Sequence, residues 1–186
     1  VIAVQINNQP GAVINANSFG GTLLVATPLV NSGTLRAENF GTLDISGGGS
    51  STGPIDIALG AQLHFSGADF TLRNASSSIT GAGTAAIISG GSVTIGDSAA
   101  DTISATNLQL ISGTLTGPGT LVVSNNFTWN GGTVSGSGSV TIPVGTTATF
   151  GGSTGTLDER LINNHGTINW SKEYLTAGND SVITNT

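Results

Sequence analysis

The sequence predicts an all-β parallel β-solenoid, read as right-handed, with nine or ten coils of roughly 19 residues. Three observations carry that expectation. Helical periodicity is absent, because Gly, Pro or an Asn/Ser cluster interrupts every apolar pattern of helical spacing. A short strand signal recurs instead, in which a Gly is followed by Thr or Ser and then by alternating aliphatic residues. Finally, that signal returns at a nearly constant interval.

The strand signal reads Gly21-Thr22-Leu23-Leu24-Val25, Gly41-Thr42-Leu43-Asp44-Ile45, Gly119-Thr120-Leu121-Val122-Val123 and Gly138-Ser139-Val140-Thr141-Ile142. A turn residue introduces each one, and the period of two places alternate side chains on opposite faces. One start per coil gives Gly21, Gly41, Ala61, Gly83, Asp101, Gly119, Gly138 and Gly155, seven intervals with a mean of about 19 residues. Secondary strands fall between these starts, at Gly33-Thr34-Leu35, Ile55-Asp56-Ile57, Phe70-Thr71-Leu72, Gly91 to Ile95, Phe127-Thr128-Trp129 and Gly166-Thr167-Ile168. Two or three strands per coil suit a β-helix, and a stack of such coils at about 4.8 Å each makes a rod of roughly 45 Å. One coil has no core of its own; stacking buries the inward Leu, Val, Ile and Phe. An antiparallel sandwich also has short strands and frequent turns, but it does not demand a sustained period.

Composition narrows the function. The 186 residues hold 29 Gly, and only 8% are charged, with 10 acids against 4 bases for a formal charge of −6. Hydrophobic content of 37% and a mean hydropathy of +0.22 oppose disorder. Phosphate backbones and anionic lipids need clustered cations, whereas Arg36, Arg73, Arg160 and Lys172 are scattered, so neither nucleic acid nor membrane insertion is expected. No cysteine exists to form a disulfide or a thiolate metal site. No cofactor is expected, and no phosphate loop, zinc motif or nucleophile elbow occurs.

A second motif links distant stretches. Ile6-Asn7-Asn8-Gln9-Pro10-Gly11 resembles Val30-Asn31-Ser32-Gly33 and Ile162-Asn163-Asn164-His165-Gly166, and Ile183-Thr184-Asn185-Thr186 repeats its opening. The chain thus reads as beginning and ending in similar repeat phase, without a charged or Pro-rich strand to blunt either edge. Residues 1–186 are expected to form one solenoid segment, part of a longer array or a polymerising subunit. The expected self-association edge comprises Val1, Ile2, Val4, Ile6, Val182 and Ile183.

The Asn-Asn-x-Gly-Thr-Ile turns, the run Leu115 to Val123 followed by Phe127-Thr128-Trp129, and the run Gly131 to Gly138 resemble the β-helical repeat regions of large secreted bacterial surface proteins, of the adhesin and autotransporter-passenger type. The resemblance implies an extracellular stalk, fibre or adhesive segment at the bacterial cell surface, not an enzyme. The expected partners are of two kinds: flanking or self-associating coils, and host or matrix glycans. Fold likeness alone names no ligand.

Asp158-Glu159-Arg160 is the only dense charge cluster, and its carboxylates are what an alternative reading, a polysaccharide-binding or polysaccharide-cleaving β-helix, would use; neighbours on a strand point to opposite faces, so a solvated turn is expected there. Asp97 and Asp101 fall short of a calcium ligand set and read as a turn. His64 alternates with Leu63 and Phe65, which points it outward. Trp129, Trp170 and Tyr174 are candidate glycan contacts, with core packing the alternative for Trp129. Thr-x-Thr pairs begin at Thr114, Thr147, Thr154 and Thr184, with separations of 33, 7 and 30. Those are not multiples of 19, so no stacked Thr array of the kind an ice-binding face requires is expected.

Overall fold

In a computed structural model, residues 4–152 and 154–186 are described. Every strand pairing among them is parallel, and the strands form two sheets. Each turn of the chain visits three strand positions, which define three faces. The first face is the nine-stranded sheet running from Ile6–Asn8 through Gly91–Ile95 and Gly113–Thr116 to Tyr174–Gly178. The second starts at Val13–Ala16 and ends at Val182–Asn185; the third starts at Thr22–Val25 and ends at Thr167–Trp170. Two long strands, Thr102–Leu110 and Thr120–Trp129, run through the corner and join the second face to the third. The fold is therefore a parallel β-solenoid of about nine turns, and the only helical element among the described residues is a single 3-10 turn at Ala75–Ser77.

The period differs from the sequence expectation. On the third face the in-register series is Leu23, Leu43, Leu63, Ala85, Leu108, Phe127, Ala148 and Ile168. Its intervals lie between 19 and 23 residues, with a mean of about 21. The value of 19 arose from a slip between faces. Gly21, Gly41, Ala61 and Gly83 all introduce the third face, but Asp101, Gly119 and Gly138 introduce the second, and Gly155 lies within a strand of the first. Every corner uses the same turn chemistry, so the motif marks strands without saying which face they belong to.

The core is one continuous cluster from Ala16 to Ile162. Strands such as Thr34–Ala37 and Thr42–Ile45 alternate between half-buried and buried residues, as period-two strands with one face inside must. Inward side chains stack on their equivalents one turn away. The third face thus carries an interior stack of Ile45, Phe65, Ile87, Leu110, Trp129, Phe150 and Trp170. The uncovered turns expose this pattern. Ile6 and Ile14 at one end and Ile168, Leu175 and Ile183 at the other are only partly buried.

Corners are closed by backbone geometry and by buried amides. Asn8 donates to Asn31 at 2.7 Å, Asn31 donates to Ser51 at 2.8 Å, and Ser51 donates to the Gly53 carbonyl at 2.9 Å. These groups are buried, so the ladder satisfies polar atoms that water does not reach. A second Asn pair forms where the buried Asn164 donates to the exposed Asn185. The two Asn motifs occupy different corners: Asn8 and Asn31 end strands of the first face, Asn164 and Asn185 end strands of the second. The expectation of matched repeat phase is corrected accordingly, because Asn closes either corner equally well. Gly49 shows how close the coils approach: its φ is +126°, and a Cβ there would lie 1.9 Å from the Leu29 carbonyl oxygen.

Candidate functional site

The charged groups are disposed in a way the sequence did not reveal. Arg160 is fully buried, with no carboxylate partner. Its Nη1 donates to the carbonyls of Gly117 (2.9 Å) and Ser135 (3.0 Å), and its Nη2 to those of Gly119 and Ser139 (both 3.1 Å). The guanidinium fork therefore ties three successive turns at the corner between the first and second faces. Burial pushes its pKa down to about 10, which leaves it a cation at neutral pH. The expected solvated turn at Asp158-Glu159-Arg160 is thus corrected for Arg160. Glu159 takes a left-handed φ of +61°, which breaks the strict alternation and turns the next side chain inward.

Lys172 is the second buried cation. Its Nζ donates to the carbonyls of Gly151 (2.7 Å) and Thr154 (3.0 Å) and sits 5.1 Å from the centre of the Trp129 ring. Burial lowers its pKa. A side chain at Gly155 would press on both Trp129 and Lys172, at 3.0 Å from each, so glycine leaves the room that this pair occupies. The other two cations are paired on the surface, Arg36 with Asp56 at 3.4 Å and Arg73 with Asp97 at 2.6 Å. All four Lys and Arg side chains are thereby engaged.

The expected contact residues separate. Trp129 lies in the core with no exposure, packed edge-on against Phe150 at 5.2 Å, so it is no part of a surface platform. Its place was legible, since it shares the inward parity of Phe127 two residues before. Trp170 ends the same interior stack, 5.5 Å from Phe150, and is 49% exposed because the third face has no further strand over it. Tyr174 is 70% exposed and belongs to the first face. Trp170 and Tyr174 are thus on different faces.

The self-association edge is placed in part. Val4 is 66% and Val182 47% exposed, while Ile6 and Ile183 are half-buried against the core; Val1 and Ile2 lie outside the described residues. Each end of the stack carries a groove. One of about 420 Å³ is lined by Asn164, Thr167, Ile168, Trp170, Ile183 and Asn185. The other, of about 540 Å³, is lined by residues between Asn15 and Leu23. Near the second, Phe19 and Phe40 form an exposed edge-to-face pair at 5.6 Å, and Phe40 holds a left-handed φ of +59° that glycine holds at the neighbouring corners.

No group of three or more His, Cys, Asp or Glu converges among the described residues. Asp101 accepts from the amides of Asp97 and Ser98 and from the Ser98 hydroxyl, which closes a turn. The Ser98 backbone bond is the main cause that lowers its pKa. His165 bonds Thr186, far from His64. His64 is half-buried beside Asp44 and in reach of Gln62 at 2.8 Å. Burial lowers its pKa, against a smaller raising effect of Asp44. The unfolded chain therefore binds a proton at His64 at a higher pH than the folded one, so this group removes stability as pH falls below the ordinary histidine value of 6.5. The thermal midpoint is expected to drop between pH 7 and pH 5, and His64→Gln to flatten that drop in a pH series of melts.

The hydroxyl residues, by contrast, do converge. On the outward side of the first face, Ser92, Thr114, Thr133, Thr156 and Thr176 stand in one in-register ladder, and Thr71, Thr94 and Thr116 stand in a second. The Thr-x-Thr spacing concealed this. Of the four pairs, those at Thr147 and Thr184 belong to the third and second faces, and coil lengths vary, so a fixed multiple was the wrong test.

The fold defines the chain as a β-solenoid protein. Comparison with protein-family models, with curated proteins and with solved structures finds no match for it. No helix among the described residues is long and apolar enough to cross a membrane.

Proposed function

We propose that the chain is an extracellular structural or adhesive solenoid segment that serves as a stalk, fibre or surface filament of a bacterial cell. The observation that carries this reading is the single core running through all nine turns, with apolar side chains left partly uncovered in the outermost turns. Parallel strand edges at both ends offer unpaired backbone groups to further coils, from another copy or from flanking chain. The low charge and the Ser, Thr, Asn and Gly content suit such a surface. Axial stacking is heterologous and does not close, so it yields filaments rather than discrete oligomers. Sedimentation velocity over a concentration series, with electron microscopy of the most concentrated sample, tests the self-stacking form. Growth into thin filaments is expected; a monodisperse monomer throughout would reject it.

A polysaccharide-binding role is the second reading, and the exposure of Trp170 and Tyr174 is what favours it. A glycan array distinguishes the two: sugar binding abolished by Trp170→Ala or Tyr174→Ala supports the second reading.

A further inference from the structure

We propose that the outer side of the first face binds the surface lattice of ice. Its central rungs are Ser92 and Thr94, Thr114 and Thr116, then Thr133, with Thr156 continuing one ladder and Thr71 the other. Adjacent rungs are about 4.8 Å apart along the stack, and the two ladders about 6.6 Å apart along the strands. The face is a two-dimensional net of hydroxyls with a constant register, because no register shift interrupts its pairings.

Four features fit this net to an ordered water lattice. The first is availability: among the described residues, none of these hydroxyls is bonded to another protein group. Elsewhere hydroxyls do bond one another, as Ser139 does to Thr120 at 3.1 Å on the second face. The ladder is therefore not held together by its own side chains, and its donors and acceptors point to solvent. The second is order. Threonine is β-branched and stiff at χ1, so each rung presents a hydroxyl and a methyl in a fixed place, and little freedom is lost on binding. The third is neutrality. No ionised side chain lies within the net between Thr71 and Thr133; Asp69, Asp158 and the Arg73–Asp97 ion pair stand at its margins. Ice excludes ions, so a charge inside the net would oppose contact. The fourth is contrast, since the second face carries Arg36, Asp56, Leu161 and Val182 outward and the third carries Asp44 and His64. The third face is also free of charge from Thr84 onward, but its outward ladders mix in Ala86, Asn107, Gln109 and Asn126. Only the first face presents both ladders as hydroxyls over successive central rungs. A flexible glycan does not match such a net over its whole area, whereas a crystal plane repeats in both directions.

Ice-affinity partitioning of the intact chain tests the proposal. Purified protein is frozen slowly onto a cold finger, and its concentration in the ice is compared with that of a dye that ice rejects. The wild type is expected to enter the ice at several times the level of the dye. Thr114→Lys and Thr133→Lys, in the middle of the net, are expected to return it to the dye level, while Thr141→Lys on the second face keeps full incorporation. Circular dichroism of each variant verifies the fold, and Thr114→Val with Thr133→Val offers a milder pair if lysine unfolds the chain. Exclusion of the wild type from ice overturns the proposal. Incorporation that survives the first-face changes also overturns it, as does retention on insoluble cellulose or chitin without entry into ice.

Discussion

Arg160→Ala is expected to lower the unfolding free energy by about 3–5 kcal/mol, the range for truncating a large, fully buried side chain, here with charge-assisted hydrogen bonds lost as well. Two effects add. The substitution empties the volume of a fully buried side chain, and it strips guanidinium donors from four carbonyls in the two preceding turns. Gly117 and Gly119 keep backbone donors from Gly138 and Ser139, which limits the loss. Two further variants separate the causes. Arg160→Met retains volume without donors, and Arg160→Lys retains charge without the planar fork; each is expected to recover only part of the stability. Urea unfolding followed by circular dichroism measures the differences. Hydrogen exchange places them, since the faster amides are expected in the turns that carry residues 117–139 and 154–164. An alanine variant within about 0.5 kcal/mol of the wild type would show that the buried fork is dispensable.

Trp129→Ala has the next largest expected effect, again about 3–5 kcal/mol, because a fully buried Trp leaves a cavity that stacked strands cannot collapse into. It also removes the edge-on contact with Phe150 and the ring beneath the Lys172 ammonium. Trp129→Phe is expected to cost far less. Among the described residues the Trp129 indole N–H has no acceptor, and the smaller ring keeps much of the packing. Tryptophan emission provides a second reading of the same geometry. With Trp170→Phe the remaining Trp129 emission is expected at short wavelength, and with Trp129→Phe the half-exposed Trp170 emits at longer wavelength. Equal emission from the two variants would place Trp129 in solvent.

The solenoid and its number of turns were legible because they depend on local chemistry: a turn residue, a β-branched or hydroxyl residue, then alternating aliphatics. The register was less legible. Gly41 and Gly138 have the same local sequence character but introduce different faces, and only pairing between distant coils separates them. The candidate surfaces follow the same division. Trp129 was readable from its parity with Phe127. Arg160 was not, since its acidic neighbours suggest solvent and a single left-handed residue at Glu159 decides which way it points. The hydroxyl net escaped for a related reason. Its members come from coils of unequal length, and only the register assembles them.

The central claim is therefore the register itself, and pulsed electron paramagnetic resonance tests it most directly. Spin labels placed at position 69 and, in turn, at 133, 156 and 176 lie on one ladder of the first face. The solenoid predicts distances that grow by about 4.8 Å per turn, roughly 14, 19 and 24 Å between backbone positions. Distances that fail to rise in that order, as in a sandwich of antiparallel strands, would contradict it.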